Sequence, residues 1–149
     1  MKDNLLLKQY ASLMENVDKE ISILSNTSAF LMEVMEDVSW AGFYLFDELL
    51  YLGPFQGKVA CTHIPMNQGV CGTSAYRQET IIVDNVHEFA GHIACDGASN
   101  SEIVVPIVID NKLYGVLDLD STSFARFQKE DQQFLEELVK ILIHSLQPK

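Results

Sequence analysis

The sequence has few basic residues and no long apolar run, and each shortage excludes a class of protein. Ten Lys and Arg stand against 21 Asp and Glu, for a formal net charge of −11. Nucleic acids and anionic membrane surfaces bind clustered basic residues, so neither is an expected partner. No apolar run approaches the ~20 residues of a membrane-spanning helix, and the N-terminus lacks the apolar core of a signal peptide. We therefore expect a cytoplasmic protein.

Cysteine is also scarce, and its arrangement argues against a structural role. The chain has three cysteines, an odd number that makes a poor disulfide framework: Cys61, Cys71 and Cys95. Their spacing, even with the nearby histidines, matches no zinc template, so no metal site is predicted. Cys95 lies in a run of small and polar residues, where a thiol is presented to solvent rather than packed in a core. The pattern indicates thiol chemistry.

The length of 149 residues and the hydrophobic fraction of 48% fit a single domain that spans residues 1–149. Apolar residues at intervals of three and four predict one amphipathic helix over Asn4–Leu24, and Ser25–Ser28 then offers N-cap residues for a second helix to about Met35. The remaining predicted elements are strands over 39–46, 49–55, 58–65, 80–83, 102–109 and 113–120, and helices over 69–77 and 129–146. This order predicts an α+β fold, in which about six antiparallel strands carry the terminal helices on one face and loops on the other.

The register of the last hairpin decides which side chains share a face. A two-residue turn at Asp110–Asn111 places Glu102 on the face opposite Asp118 and Asp120, whereas a three-residue turn that includes Lys112 pairs Glu102 with Asp120. We favour the second register because it collects the aliphatic residues on one face, namely Ile103, Val105, Ile107, Ile109, Leu113, Leu117 and Leu119.

The favoured register groups Glu102, Asp118 and Asp120, and Asp84 at the end of its own strand is a further candidate member. These carboxyls either form a solvated strand end or build a site that binds an ammonium group and also holds a proton. Like charges packed together raise at least one carboxyl pKa, so a neutral acid persists near pH 7. The second arrangement suits a zwitterionic small molecule.

The first strand is rich in aromatic residues. Trp40 and Tyr44 share one parity and are candidates to line a pocket, which leaves Phe43 for the core side.

Several segments together resemble the free methionine-(R)-sulfoxide reductases, which are stand-alone GAF domains. The resemblance covers nearly the whole chain and rests on Trp40-Ala41-Gly42-Phe43-Tyr44, Cys61-Thr62-His63-Ile64-Pro65, Gly69-Val70-Cys71-Gly72-Thr73, Gly91-His92-Ile93-Ala94-Cys95-Asp96, Ala98-Ser99-Asn100-Ser101-Glu102-Ile103-Val104 and Gly115-Val116-Leu117-Asp118-Leu119-Asp120-Ser121. It implies a GAF-like fold with a ligand pocket under the loops. It also implies reduction of free methionine-R-sulfoxide without a cofactor, with thioredoxin as the external reductant.

The same resemblance implies roles for the cysteines: Cys95 is the nucleophile, Cys71 the resolving thiol and Cys61 an auxiliary thiol that forms an alternative disulfide.

For the other site residues, the resemblance implies that the carboxyls bind or protonate the substrate, with Glu102 the favoured proton donor aided by Asp120. The implied set is Glu102, Asp118, Asp120 and Asp84, with Trp40 and Tyr44 bordering the substrate side chain. The alternatives are a GAF module that senses a small molecule without turnover and a thiol redox switch. A homodimer through the terminal helices is a further alternative, although we favour helices that cover the sheet.

Overall fold

The computed structural model describes residues 2–93 and 97–148. Helices and strands follow one another as α1 (Lys2–Met14), α2 (Glu20–Val34), β1 (Trp40–Asp47), β2 (Leu49–Gln56), β3 (His63–Ile64), α3 (Gly69–Arg77), β4 (Ile81–Val83), a short 3-10 helix (Val86–Glu88), β5 (Ser101–Ile109), β6 (Lys112–Ser121) and α4 (Lys129–Leu146).

The strands form one six-stranded sheet in the order β3-β2-β1-β6-β5-β4, and every neighbouring pair is antiparallel. Helices α1, α2 and α4 contribute to the apolar cluster on one face, and α3 packs on the other. The predicted α+β architecture is confirmed. Among the described residues, no helix is long and apolar enough to cross a membrane.

The prediction of a single helix over Asn4–Leu24 is wrong. α1 ends at Met14, and Asn16 adopts a left-handed backbone conformation with φ 65°, which breaks the helix before α2 begins at Glu20. Both helices bury apolar side chains in the same cluster. The three-and-four spacing therefore continues across the break and hides it.

The predicted N-cap at Ser25–Ser28 is also wrong, because these residues lie inside α2. The Thr27 hydroxyl donates to the carbonyl oxygen of Ile23 at 2.7 Å, and the Ser28 hydroxyl donates to that of Leu24 at 2.9 Å. Ser and Thr hydroxyls satisfy themselves in this way inside a helix as readily as they cap one.

The strand predicted over 58–65 is much shorter, because only His63–Ile64 pairs with β2. The Trp40 indole N–H donates to the carbonyl oxygen of Lys58 at 3.0 Å, so this part of the loop is held by a side chain of β1. A side chain can therefore satisfy backbone groups for which we had predicted a neighbouring strand.

The hairpin has the favoured register but reaches it by a different route. The turn contains two residues, Asp110 and Asn111, both with positive φ, and Glu102 nevertheless pairs with Asp120. A bulge at Tyr114 inserts one extra residue into β6 and shifts the register by one position. We had predicted that a third turn residue would set this register; the extra residue in β6 sets it instead.

The bulge also removes one residue from the predicted aliphatic face. All of its members pack in the cluster beneath the helices except Leu113, which contacts the cluster on the opposite face. Tyr114 contacts the helical side instead, and its hydroxyl donates to Glu20 at 2.7 Å. Alternation along a strand reverses at a bulge, and this reversal exchanges Leu113 and Tyr114.

The aromatic strand is placed as predicted. Phe43 lies in the cluster beneath the helices, while Trp40 and Tyr44 lie in the cluster on the opposite face.

The close approach of β1 and β2 requires glycine at position 42 and supplies a test of the fold. A Cβ at Gly42 would collide with the Phe55 side chain and lie 2.9 Å from the Trp40 ring. We expect Gly42→Ala to lower the free energy of unfolding by about 1–3 kcal/mol, the usual cost of overpacking. Denaturant unfolding measures it.

Gly97→Ala is the matched control, because a Cβ there meets nothing within 4 Å. Equal stability losses in Gly42→Ala and Gly97→Ala would contradict the packing described for β1 and β2.

Candidate active site

A pocket opens on the face of the sheet that carries α3. It is bounded by β1, β5 and β6, by the start of α3, and by the loops around residues 60 and 92. Its lining residues are Trp40, Tyr44, Ala60, Ile64, Gly69, Val70, Cys71, His92, Ile93, Ser99, Glu102, Asp118 and Asp120.

Three carboxyls from two neighbouring strands form the floor of this pocket. Glu102 on β5 pairs with Asp120 on β6, and Asp118 lies two residues away on the same face. Their relative exposures are 9%, 8% and 4%, respectively. The interpretation as a solvated strand end is therefore wrong, and the predicted grouping of these three residues is confirmed.

Burial raises the pKa values of Glu102 and Asp118 above those of solvated carboxyls. The pKa of Glu102 is raised well above its usual range, first by burial and then by the charges of Asp118 and Asp120. Burial also raises the pKa of Asp118, but hydrogen bonds from its neighbours, Glu102 first, oppose that rise. Burial therefore favours the protonated form of both carboxyls, and the charges of Asp118 and Asp120 add to this effect at Glu102, whereas hydrogen bonds oppose it at Asp118.

Cys71 lies in the first turn of α3, directly beside the carboxyls. Its thiol donates to Glu102 Oε2 at 3.8 Å, and the side chain is buried. Burial, and then the charges of Asp118 and Glu102, raise the thiol pKa well above its usual range. Cys71 is therefore a neutral thiol and a poor nucleophile. It is also a candidate metal ligand, together with Glu102 and Asp118.

The other two cysteines differ from Cys71. Cys61 is half-buried and disulfide-bonded, whereas Cys71 is a free thiol. The Tyr44 hydroxyl donates to the carbonyl oxygen of Cys61 at 3.0 Å, which ties this residue to the wall of the pocket. Cys95, the predicted nucleophile, lies outside the described residues.

Trp40 and Tyr44 form an aromatic wall of the pocket, and Phe55, which is outside the described lining, stacks on Trp40. The Trp40 ring stacks on Phe55 with centroids 5.1 Å apart and on Tyr44 with centroids 6.0 Å apart. This wall offers a flat, apolar and polarisable surface to a ligand. Phe55 was not singled out in the sequence, because its strand partner is set by the sheet and not by a motif.

Asp84 is not brought into the pocket. It follows β4, its side chain is exposed, and it is absent from the described lining. Its role in substrate binding stays a prediction.

His92 and Ser99 also line the pocket, and neither was predicted from the sequence to bind the substrate. Both flank the predicted nucleophile in the sequence, and that proximity was the available signal. Burial and the neighbouring His87 lower the pKa of His92. The described lining contains no Lys or Arg, so a carboxylate on a ligand would be met by neutral donors.

A profile of the GAF domain matches residues 22–142 of the chain. The chain is 53% identical to the free methionine-R-sulfoxide reductase of Escherichia coli over 135 residues, which cover 90% of this chain and 82% of the relative.

Solved structures are similar over almost the whole chain. The structure of fRMsr of Staphylococcus aureus in its reduced form has a TM-score of 0.94 and 50% identity, covering 97% of this chain and 95% of that one. The free methionine-R-sulfoxide reductase of Neisseria meningitidis in complex with its substrate has a TM-score of 0.93 and 41% identity, covering 98% and 90% of the two chains.

The raised pKa of Glu102 predicts how stability depends on pH. The native state holds this proton to a higher pH than the unfolded chain does. Above about pH 4.3, the ordinary pKa of Glu, the native state therefore binds more protons than the unfolded chain. Its free energy of unfolding falls as the pH rises from there to the raised pKa of Glu102. Glutamine does not ionise, so we expect Glu102→Gln to lose less free energy of unfolding over this pH range than the wild type. The expected difference is about 1.4 kcal/mol for each unit by which the pKa of Glu102 is raised.

The measurement is the free energy of unfolding between pH 5 and 8, with Glu33→Gln as the control, because Glu33 is exposed on α2. A decline in Glu102→Gln as steep as that of the wild type would show that Glu102 is not the protonated group.

Proposed function

The chain belongs to the free methionine-R-sulfoxide reductases, enzymes built on the GAF domain, and we infer that its carboxyl-lined pocket is the site of reduction. It is an oxidoreductase that reduces free methionine-R-sulfoxide to methionine. The observation that carries the assignment of the pocket is the buried group of three carboxyls beside an aromatic wall, in which Glu102 keeps a proton.

We propose that the carboxyls bind the ammonium group of the substrate. Asp118 is buried and accepts hydrogen bonds, and Asp120 lies beside it on β6. An ammonium group has three N–H donors and a full positive charge, which compensate buried carboxylates. Trp40 and Tyr44 would then border the side chain that carries the sulfoxide. A peptide-bound residue has no free ammonium group, so this contact favours the free amino acid.

The proposed chemistry begins with attack by the Cys95 sulfur on the sulfoxide sulfur, as the family resemblance implies. Glu102, aided by Asp120, donates a proton to the sulfoxide oxygen as the sulfur–oxygen bond breaks. The hydroxyl then transfers from the substrate sulfur to the Cys95 sulfur as the bond between the two sulfurs breaks, so methionine leaves with two electrons gained and Cys95 becomes a sulfenic acid. The proton of the Cys95 thiol replaces the one that Glu102 donated. In this proposal Cys95 reacts next to the carboxyls, which disfavour a free thiolate, so attack on sulfur and proton transfer to oxygen are coupled.

A second thiol then condenses with the sulfenic acid, which forms a disulfide and releases water. The resemblance implied Cys71 for this step. The bonded state and partial exposure of Cys61, and the neutral, buried thiol of Cys71, instead support Cys61 as the resolving residue. We therefore propose that Cys61 closes the disulfide and that Cys71 stays reduced in the pocket.

The disulfide must be reduced from outside, because no cofactor is proposed. An external dithiol such as thioredoxin accomplishes this by exchange, and we propose the cytoplasm as the compartment that supplies it. A homodimer through the terminal helices stays the alternative that we did not favour; Leu5, Leu13 and Ile21 are exposed on α1 and α2.

The cysteine assignments are tested by methionine release from free methionine-R-sulfoxide with thioredoxin, thioredoxin reductase and NADPH. We expect Cys95→Ser to form no methionine. Cys61→Ser should form about one methionine per chain and then stall, because the sulfenic acid has no resolving thiol. Cys71→Ser should continue past one turnover.

The S epimer and a peptide-bound sulfoxide are the substrate controls and should not react. A stall in Cys71→Ser together with continued turnover in Cys61→Ser would restore the original assignment of Cys71.

The proton-donor role of Glu102 is tested by single-turnover kinetics of Glu102→Gln. Loss of a general acid lowers the rate by about 10²–10⁴-fold. We expect that loss, together with disappearance of the alkaline limb that deprotonation of Glu102 imposes on the rate of the wild type. Glu33→Gln again serves as the control. An unchanged pH profile in Glu102→Gln would assign the proton to another group.

A further inference from the structure

We propose that Cys71, Glu102 and Asp118 form an inhibitory binding site for a thiophilic divalent cation, with Zn²⁺ and Cd²⁺ as the ions that fit. The proposed catalytic cycle leaves Cys71 reduced, so this thiol has no assigned role in turnover. Binding of the ion depends only on the three side chains. Its inhibitory effect rests on the proposed function of the pocket.

The spacing of the donor atoms suits a zinc-like ion. One ligand atom from each of the three residues lies within 4.8 Å of the others, and all three side chains are buried. The Cys71 Sγ and Glu102 Oε2 atoms are 3.8 Å apart. Zn–S and Zn–O bonds of about 2.3 and 2.1 Å at a tetrahedral angle place sulfur and oxygen about 3.6 Å apart, so little movement is needed.

An unpaired buried oxygen is the second observation that points to a cation. Asp118 is 4% exposed, and its Oδ1 has no hydrogen-bond partner among residues 2–93 and 97–148. Buried carboxylate oxygens are normally paired or bound to a metal, because burial without a partner costs free energy. In the described part of the chain, the pocket lining supplies no Lys or Arg to compensate this charge.

The thiol decides which cations fit. Mg²⁺ and Ca²⁺ prefer oxygen ligands, whereas thiolate favours Zn²⁺ and related softer ions. Three protein ligands leave a fourth position for water, as in open zinc sites. Bound metal would displace the proton from Cys71 and from Glu102. The site would then lose its proton donor and, at Asp118, the place proposed for the substrate ammonium group.

Metal binding is tested on the protein with Cys61 in its disulfide and Cys71 as a free thiol, so that no reductant is present. Calorimetry with Zn²⁺ and ultraviolet absorption with Cd²⁺ are the measurements. We expect one ion per chain and a thiolate-to-cadmium charge-transfer band. Cys71→Ser should lose the band and weaken Zn²⁺ binding beyond the roughly 10–100-fold that loss of an outer partner causes.

Asp118→Asn is the second variant, and it should weaken binding while Glu33→Gln should not. Mg²⁺ should not bind. Circular dichroism establishes that each variant is folded. Absence of Zn²⁺ binding to the wild type, or full retention of it in Cys71→Ser or Asp118→Asn, would overturn the site.

Inhibition is tested separately, by single-turnover reduction of methionine-R-sulfoxide with reduced, desalted protein. Zn²⁺ should raise the substrate concentration needed for half the maximal rate in the wild type, and Cys71→Ser should be less sensitive. Metal binding without competition would overturn the inhibitory role. A wild type that binds Zn²⁺ but forms no methionine would instead refute the proposed function and leave the metal site standing.

Discussion

The antiparallel pairing of β5 with β6 is the constraint on which the rest of the structure depends. It places Glu102 opposite Asp120 and puts Asp118 on the same face, while Ile103, Leu117 and their neighbours point to the core beneath the helices. A shift of one residue would exchange the two faces, burying carboxylates among aliphatic side chains. The apolar core beneath the helices therefore enforces the geometry of the acidic pocket, although none of its residues belongs to the described lining of that pocket.

Burying three carboxyls together has a cost, and the structure reduces that cost by retaining a proton. Glu102 remains neutral at a pH where a solvated glutamate is charged, and its proton supports the hydrogen bonds accepted by Asp118. The same proton is what the reaction proposed for this pocket consumes. Stability and activity are linked in this way, because the group that is expensive to ionise is the group that can donate.

The thiols are divided between two environments. Cys71 lies among the carboxyls, where its pKa is raised and its thiol stays neutral. Cys61 is disulfide-bonded and lies in a loop that Trp40 and Tyr44 hold by hydrogen bonds. Cys61 is thus the bonded sulfur, and Cys71 is the free, neutral thiol. The resemblance to the family implied the resolving role for Cys71 and an auxiliary role for Cys61, and the two environments favour the opposite assignment.

Local patterns in the sequence determined the class of fold, the six strands, the grouping of Glu102 with Asp118 and Asp120, and the side of β1 on which Trp40 and Tyr44 lie. These follow from the alternation of side chains along strands, which is a property of the chain itself. Tertiary structure decided the helix break at Asn16, the bulge at Tyr114 and the exposure of Asp84, which is outside the described pocket lining. It also decided the burial that keeps Glu102 and Cys71 protonated. Each of these depends on what the rest of the fold packs against a residue, and periodicity is the same whether a helix is broken or a carboxyl is buried.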